Sequence, residues 1–250
     1  MATILITGAS SGLGEEMARQ FAALGHDLAL AARRTERLEQ LQAELTETHP
    51  GRRVELRALD VNDDAAVFEV FDAFAADFGT IDRVIVNAGL GKGAPIGTGG
   101  EAANRQTAMT NFVGALTQAE AAMRIFRAQR RGHLVFISSM SALRGMPKTV
   151  TVYAATKAGV AHLAEGIRAE MLTAKDLDIT VSTILPGYIR SEMNERVKDT
   201  PFMVGTEQGV RAMVAAIEAE KQQARVPAWP WRPLGTLMRH LPLGIVRRMS

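Results

Sequence analysis

The stretch Thr3-Ile4-Leu5-Ile6-Thr7-Gly8-Ala9-Ser10-Ser11-Gly12-Leu13-Gly14 decides how the rest of the chain is read. Its first five residues form a short apolar run, the pattern of a strand covered on both faces. Immediately afterwards Leu13, Met17, Phe21 and Leu24 recur at helical spacing, and Gly25 is placed to stop that helix. Glycines between a strand and a helix let the backbone turn tightly and approach a ligand closely. The helix N-terminus presents unsatisfied N–H donors to a pyrophosphate. Gly8, Ser10, Ser11, Gly12, Leu13 and Gly14 are therefore candidate dinucleotide-binding residues.

The same alternation continues outward. Asp27 to Ala32, Val54 to Ala58, Arg83 to Asn87, His133 to Ser138 and Ile179 to Leu185 are further short apolar runs bounded by turn residues. Helical patterns separate them; Val160, Leu163, Ala164, Ile167 and Met171 form one stripe. Strand–helix alternation over about 185 residues requires right-handed crossovers, which build a parallel sheet. The predicted fold is α/β: a single Rossmann-type, doubly wound parallel sheet with helices on both faces. No repeat and no interdomain linker breaks the pattern. Residues 1–225 are expected to form the dinucleotide-binding and catalytic domain, and 226–250 a tail of the same domain.

Composition removes other classes. The 250 residues include no cysteine, which excludes disulfide scaffolds, thiolate metal sites and cysteine nucleophiles. Five scattered histidines (His26, His49, His133, His162 and His240) have no metal-ligand spacing, so no metal site is expected and they read as surface or packing residues. No serine elbow or carboxylate pair suggests hydrolysis. Residues 1–220 hold 23 Lys/Arg against 27 Asp/Glu, whereas 221–250 hold Lys221 and five arginines with no acid. A weakly acidic body does not suit a nucleic-acid partner. Apolar runs are too short for a membrane span, and no cleavable signal stands out, so a cytoplasmic location is expected.

The G-x-x-x-G-x-G spacing resembles the short-chain dehydrogenase/reductase family, single-domain branch, and further motifs extend the resemblance to about Ser191. It implies that Asp60-Val61 contacts adenine and that Asn87-Ala88-Gly89 supports the sheet and lines the cofactor. Pro186-Gly187, with Ile189 and Ser191, would contact the nicotinamide end. A ribose-binding acid after the second strand would select NAD(H); here the residues are Ala31-Ala32-Arg33-Arg34. An arginine there can pair with a 2′-phosphate. NADP(H) is therefore favoured over NAD(H), with Arg33 the first candidate and Arg34 the second.

Tyr153 and Lys157 stand at i and i+4, on one face of a helix. A phenol with an ordinary pKa near 10 is a weak acid–base catalyst, and an adjacent ammonium favours its ionised form. The resemblance implies that Tyr153 is the acid/base and that Lys157 lowers its pKa and binds the nicotinamide ribose. It implies too that Ser139 bonds the substrate oxygen and that Asn111 supports a proton relay at a helix kink. Ser139 lies 14 positions before Tyr153, one more than usual in that family, and Ser141 at 12 competes with it.

Met140, Met146, Met193, Phe202 and Met203 are expected to border an apolar substrate site, with a lid over about 190–206. In the tail, Pro233 is expected to open a short helix that Pro242 ends, with Leu234, Leu237, Met238 and Leu241 on one stripe. Ile245, Val246, Arg247 and Arg248 follow. Both tryptophans, Trp229 and Trp231, lie just before that helix. Three uses remain open for the tail: contact with the inner membrane surface, closure of the pocket, or packing on a second subunit. The resulting expectation is an NADP(H)-dependent oxidoreductase interconverting a carbonyl and an alcohol on a lipophilic small molecule, as a homodimer or homotetramer. The alternative is a non-catalytic NADP-binding protein that senses redox state.

Overall fold

A computed structural model describes residues 1–194 and 202–246. In chain order these form β1 (Thr3–Thr7), α1 (Gly12–Ala23), β2 (Asp27–Ala32), α2 (Thr35–Thr48), β3 (Val54–Ala58), α3 (Asp64–Phe78) and β4 (Arg83–Val86). There follow α4 (Glu101–Ala108), a π-helical turn (Met109–Val113), α5 (Gly114–Gln129), β5 (Arg131–Ile137), α6 (Thr151–Met171) and β6 (Asp178–Pro186). Helix α7 (Thr206–Glu218), strand β7 (Gln223–Val226) and helices α8 (Ala228–His240) and α9 (Leu243–Val246) complete the described chain.

All seven strands are parallel, in the order β3-β2-β1-β4-β5-β6-β7. Successive strand residues serve opposite faces. Ile4 and Ile6 join Phe21, Leu38 and Met213 on one side, while Leu5 faces Phe71, Phe74 and Phe126 on the other. Both faces are thus covered, which is why these strands read as unbroken apolar runs. The chain reverses its direction of winding between β1 and β4, opening a crevice at their carboxyl ends.

Two features differ from the sequence reading. Strand β7 was not expected: its four residues, Gln-Ala-Arg-Val, alternate in burial at the sheet edge and lie inside a basic stretch. In α8 the backbone at Trp229 is extended (φ −102°, ψ 133°), so the regular helix starts at Pro230 and Pro233 lies in its first turn rather than opening it. Leu241, before Pro242, is extended as expected of a pre-proline residue. Trp231 and Met238 are buried, and Trp231 packs with Met140, Leu185 and Leu234. Part of the expected stripe therefore faces the body. Arg247 and Arg248 lie outside the described residues.

A buried polar network braces the amino ends of the strands. The Arg83 guanidinium donates to His133 Nδ1 (2.9 Å) and pairs with Glu218 of α7. His133 Nε2 lies 2.8 Å from Ser182 Oγ on β6, and the Ala2 N–H donates to His26 Nδ1 (3.1 Å). Because His133 Nδ1 accepts from Arg83, its proton sits on Nε2 and the ring is neutral. Burial, with Arg83 adding to it, pushes its pKa down to about 3.

An unfolded histidine takes up its proton near pH 6.5, so between about pH 6.5 and 3 the unfolded chain binds the extra proton. Stability from this site is complete above pH 6.5 and falls with acidification, by at most roughly 1.4 kcal/mol per pH unit. Urea unfolding at pH 7 and 5.5 should show that loss, and His133→Gln should flatten the slope.

Candidate active site

A cleft of about 770 Å³ opens at the carboxyl ends of β1, β4, β5 and β6. The glycine loop forms one wall. Gly8 has φ +66°, and a Cβ added at Gly14 would lie 2.4 Å from the Gly8 carbonyl oxygen, so the helix can seat on the loop only without a side chain there. Thr7 ties this loop to the next wall: its hydroxyl accepts from the N–H groups of Asn87 (3.1 Å) and Ala88 (3.2 Å). The Asn87 amide returns a bond to the Thr7 carbonyl (2.9 Å). Ser11, the N-cap of α1, makes no side-chain capping bond, which leaves first-turn N–H groups turned to the cleft. This cradle fits a pyrophosphate.

At the end beside β2, Arg33, Arg34, Asp60 and Val61 line the cleft. Arg33 extends beside Asp60, 3.8 Å away. Arg34 instead turns onto the glycine loop, donating to Ser10 Oγ (3.3 Å) and Ser11 Oγ (2.6 Å). It also engages Glu192. The second candidate is thus the arginine that meets the loop, while Arg33 flanks the opening.

Tyr153 and Lys157 come to the cleft on α6, and Ser139 follows the end of β5. Tyr153 and Ser139 both line the cleft floor, the serine near enough to favour the ionised phenol. Lys157 is buried, donates from Nζ to the Ile137 carbonyl (2.8 Å), and has Nζ 5.8 Å from the Tyr153 ring centre. The Ser138 hydroxyl donates to the Lys157 carbonyl (2.7 Å), fastening α6 to β5. Burial lowers the Lys157 pKa to about 8.

Burial raises the Tyr153 pKa above its ordinary value, with the neighbouring Ser139 hydroxyl acting the other way.

Ser141 does not line the cleft. Its hydroxyl is buried without a partner, and its N–H donates to Ser139 Oγ (3.2 Å). Asn111 also lies behind the cleft wall, inside the π-helical turn. Its side chain accepts from the Leu90 N–H (2.7 Å) and donates to the Leu90 carbonyl (2.8 Å), which anchors the loop after β4. Gly14 supports the loop from below, and Asn111 is buried. Every other residue singled out from the motifs borders the cleft: Gly8, Ser10, Ser11, Gly12, Leu13, Asn87, Ala88, Gly89, Pro186, Gly187, Ile189 and Ser191, with those named above.

At the far end Trp231 covers Gly187, where any added Cβ would meet the indole at 2.1 Å. Tyr188 and Phe202 meet Trp231 edge-on, with ring centres 5.5 and 6.4 Å away. Of the five apolar residues expected at the substrate site, Met193 lines the cleft, while Met140 is packed beneath it with Trp231. Residues 195–201 of the expected lid lie outside the described residues. Among those described, no group of histidine and carboxylate side chains could hold a metal. No described helix is long and apolar enough to cross a membrane.

Two important participants were not read from the sequence. Trp231, expected only as part of the tail, packs over Gly187, which lines the cleft. Glu192, next to the expected Ser191, had no spacing signal, since its partners are on α1's loop and on α2.

A family model described as short chain dehydrogenase matches residues 2–201. An uncharacterized oxidoreductase of Mycobacterium tuberculosis is 51% identical over 247 residues, covering 99% of this chain and 96% of that protein. A short-chain dehydrogenase from Sphingobium yanoikuyae, solved in complex with NADPH, superposes with TM-score 0.81 at 28% identity, covering 97% of each chain. Levodione reductase gives TM-score 0.79 at 28% identity, covering 90% of this chain and 94% of that one. The sheet order, the glycine cradle and these likenesses agree, and the chain belongs to the short-chain dehydrogenase/reductase family of oxidoreductases.

Proposed function

We propose that this oxidoreductase uses NADP(H) to interconvert a carbonyl and an alcohol on a lipophilic small molecule, with Tyr153 as the acid/base. The observation that carries this reading is the convergence of Tyr153, Ser139 and Lys157 on one cleft whose other wall is the glycine cradle. Bound NADP(H) would donate or accept the hydride. The protein's part is to hold the substrate oxygen and to move its proton. Ser139 bonds that oxygen and Tyr153 donates a proton to it during reduction, or removes one during oxidation. The N–H groups of the loop at Gly12 and Leu13 hold the pyrophosphate, and Arg33 and Arg34 the 2′-phosphate. Asp60 and Val61 border the adenine, and Lys157 the nicotinamide ribose. Asn111 positions the loop that carries Gly89. The aromatic group Tyr188, Phe202 and Trp231 supports an apolar substrate.

With a panel of ketones, aldehydes and alcohols, turnover is followed by NADPH absorbance. Tyr153→Phe should lower kcat by roughly 10²–10⁴-fold, the usual worth of a general acid–base, and leave NADPH affinity unchanged. Undiminished turnover would overturn the mechanism. Arg34→Ala and Arg33→Ala should each weaken NADPH binding by roughly 10- to 100-fold, as expected for loss of a charge-assisted bond, with NADH affinity retained. Equal wild-type affinities for NADPH and NADH would overturn the cofactor assignment. Met109, Phe112 and Leu116 are exposed along one helical face, which supports association of copies. Light scattering should then give a dimer or tetramer, and Leu116→Glu should dissociate it.

A further inference from the structure

Glu192 enters the cleft from the turn after β6 and meets residues more than 150 positions earlier in the chain. Arg34 grips its carboxylate with both terminal nitrogens, Nη1 to Oε1 and Nη2 to Oε2, each at 3.0 Å. Arg37 adds a contact of 3.3 Å to each oxygen from the first turn of α2. The Ser11 hydroxyl accepts from Arg34 at 2.6 Å and lies beside the same carboxylate. Two guanidiniums and a hydroxyl thus converge on one anion. Arg34, chiefly, and Ser11 hold the Glu192 carboxyl down to about 2, so it is ionised throughout the physiological range.

A phosphate monoester presents the same paired oxygens to an arginine fork that a carboxylate does, with more charge. The turn bearing Glu192 is also tied to both sides of the cleft. Ser191 lies over the glycine loop, its Cβ 3.4 Å from where a Cβ on Gly12 would stand. Met193 packs against Gly91 on the opposite side, its Cγ 2.8 Å from where a Cβ there would stand. Asn194 stiffens the turn, accepting from the Ser191 N–H (2.9 Å) and donating to the Ile189 carbonyl (2.7 Å).

We propose that Glu192 is an internal competitor for the cofactor's 2′-phosphate. Its carboxylate fills the anion site of Ser11, Arg34 and Arg37 in the free protein, and a 2′-phosphorylated dinucleotide binds by displacing it. The proposal rests on the NADP(H) reading above. Displacement frees the stiff turn from the glycine loop, and Met193 moves with it at the substrate end. Glu192 thereby sets how strongly the protein prefers a phosphorylated cofactor, and it couples the occupancy of one end of the cleft to the shape of the other. The ion pair is about half exposed, so its competition is moderate.

Calorimetric titration with 2′,5′-ADP and with ADP, neither of which contains nicotinamide, separates the possibilities. Glu192→Gln should tighten 2′,5′-ADP binding by roughly three- to tenfold and leave ADP unchanged. In an Arg34→Ala background the same substitution should have a much smaller effect, because only Arg37 then holds the carboxylate. If the wild type prefers 2′,5′-ADP but Glu192→Gln leaves its affinity unchanged or weaker, the competitor idea fails and the NADP(H) reading stands. Should Glu192→Gln weaken ADP, the carboxylate is a ribose ligand and the proposal is overturned. Equal wild-type affinity for both probes overturns the NADP(H) reading and this proposal together.

Discussion

The site depends on how closely the loop after β1 lies against the loop after β4. Thr7 provides the tie with a single hydroxyl that accepts from two consecutive N–H groups, at Asn87 and Ala88. The Asn87 side chain closes the loop by bonding back to the Thr7 carbonyl. These bonds satisfy backbone groups at strand ends that would otherwise be buried without partners, a cost of about 1–3 kcal/mol each. They also set the depth of the cleft, because Gly14 can then seat α1 directly on Gly8. A parallel sheet whose winding reverses between β1 and β4 leaves a crevice there; the Thr7–Asn87 tie gives that crevice a fixed wall.

Buried polar groups brace the sheet at both ends for different purposes. At the amino ends, Arg83, His133, Ser182 and Glu218 link three strands to α7 in a network whose members are mutually satisfied. At the carboxyl ends, the Lys157 ammonium gives one bond to the Ile137 carbonyl and Ser138 holds the Lys157 backbone. The first arrangement is complete within the protein. The second leaves the Tyr153 hydroxyl and Ser139 together at the cleft, and desolvation keeps the phenol in its protonated form. Both follow one rule: a polar group leaves water only where a partner replaces it.

Local patterns made most of the fold legible. Six strands and the glycine loop were readable because burial on both faces imposes continuous apolar runs, and a turn against a helix N-terminus demands glycine. Strand β7 escaped because a short edge strand need bury only alternate residues, and Gln223–Val226 does so within a basic segment. Pro233 misled for a related reason: a proline fits several positions in a first turn, and the extended backbone of Trp229 leaves Pro230 to open the regular helix. The choice between Ser139 and Ser141 was invisible in the spacing. Which hydroxyl reaches Tyr153 depends on the direction the chain takes after β5.

By itself, then, the sequence determined the alternation of strands and helices, the glycine cradle and the pairing of Tyr153 with Lys157 on one helical face. Each of these is set by neighbours a few residues apart, through backbone sterics and helical period. Tertiary structure alone decided that Arg34 rather than Arg33 turns onto the loop, that Trp231 closes over Gly187, and that Glu192 lies between two arginines. It also decided how fully the Tyr153 phenol is withdrawn from water, which raises its pKa. Such contacts join residues from 23 to 158 positions apart, and no local pattern records which of many compatible side chains will meet there.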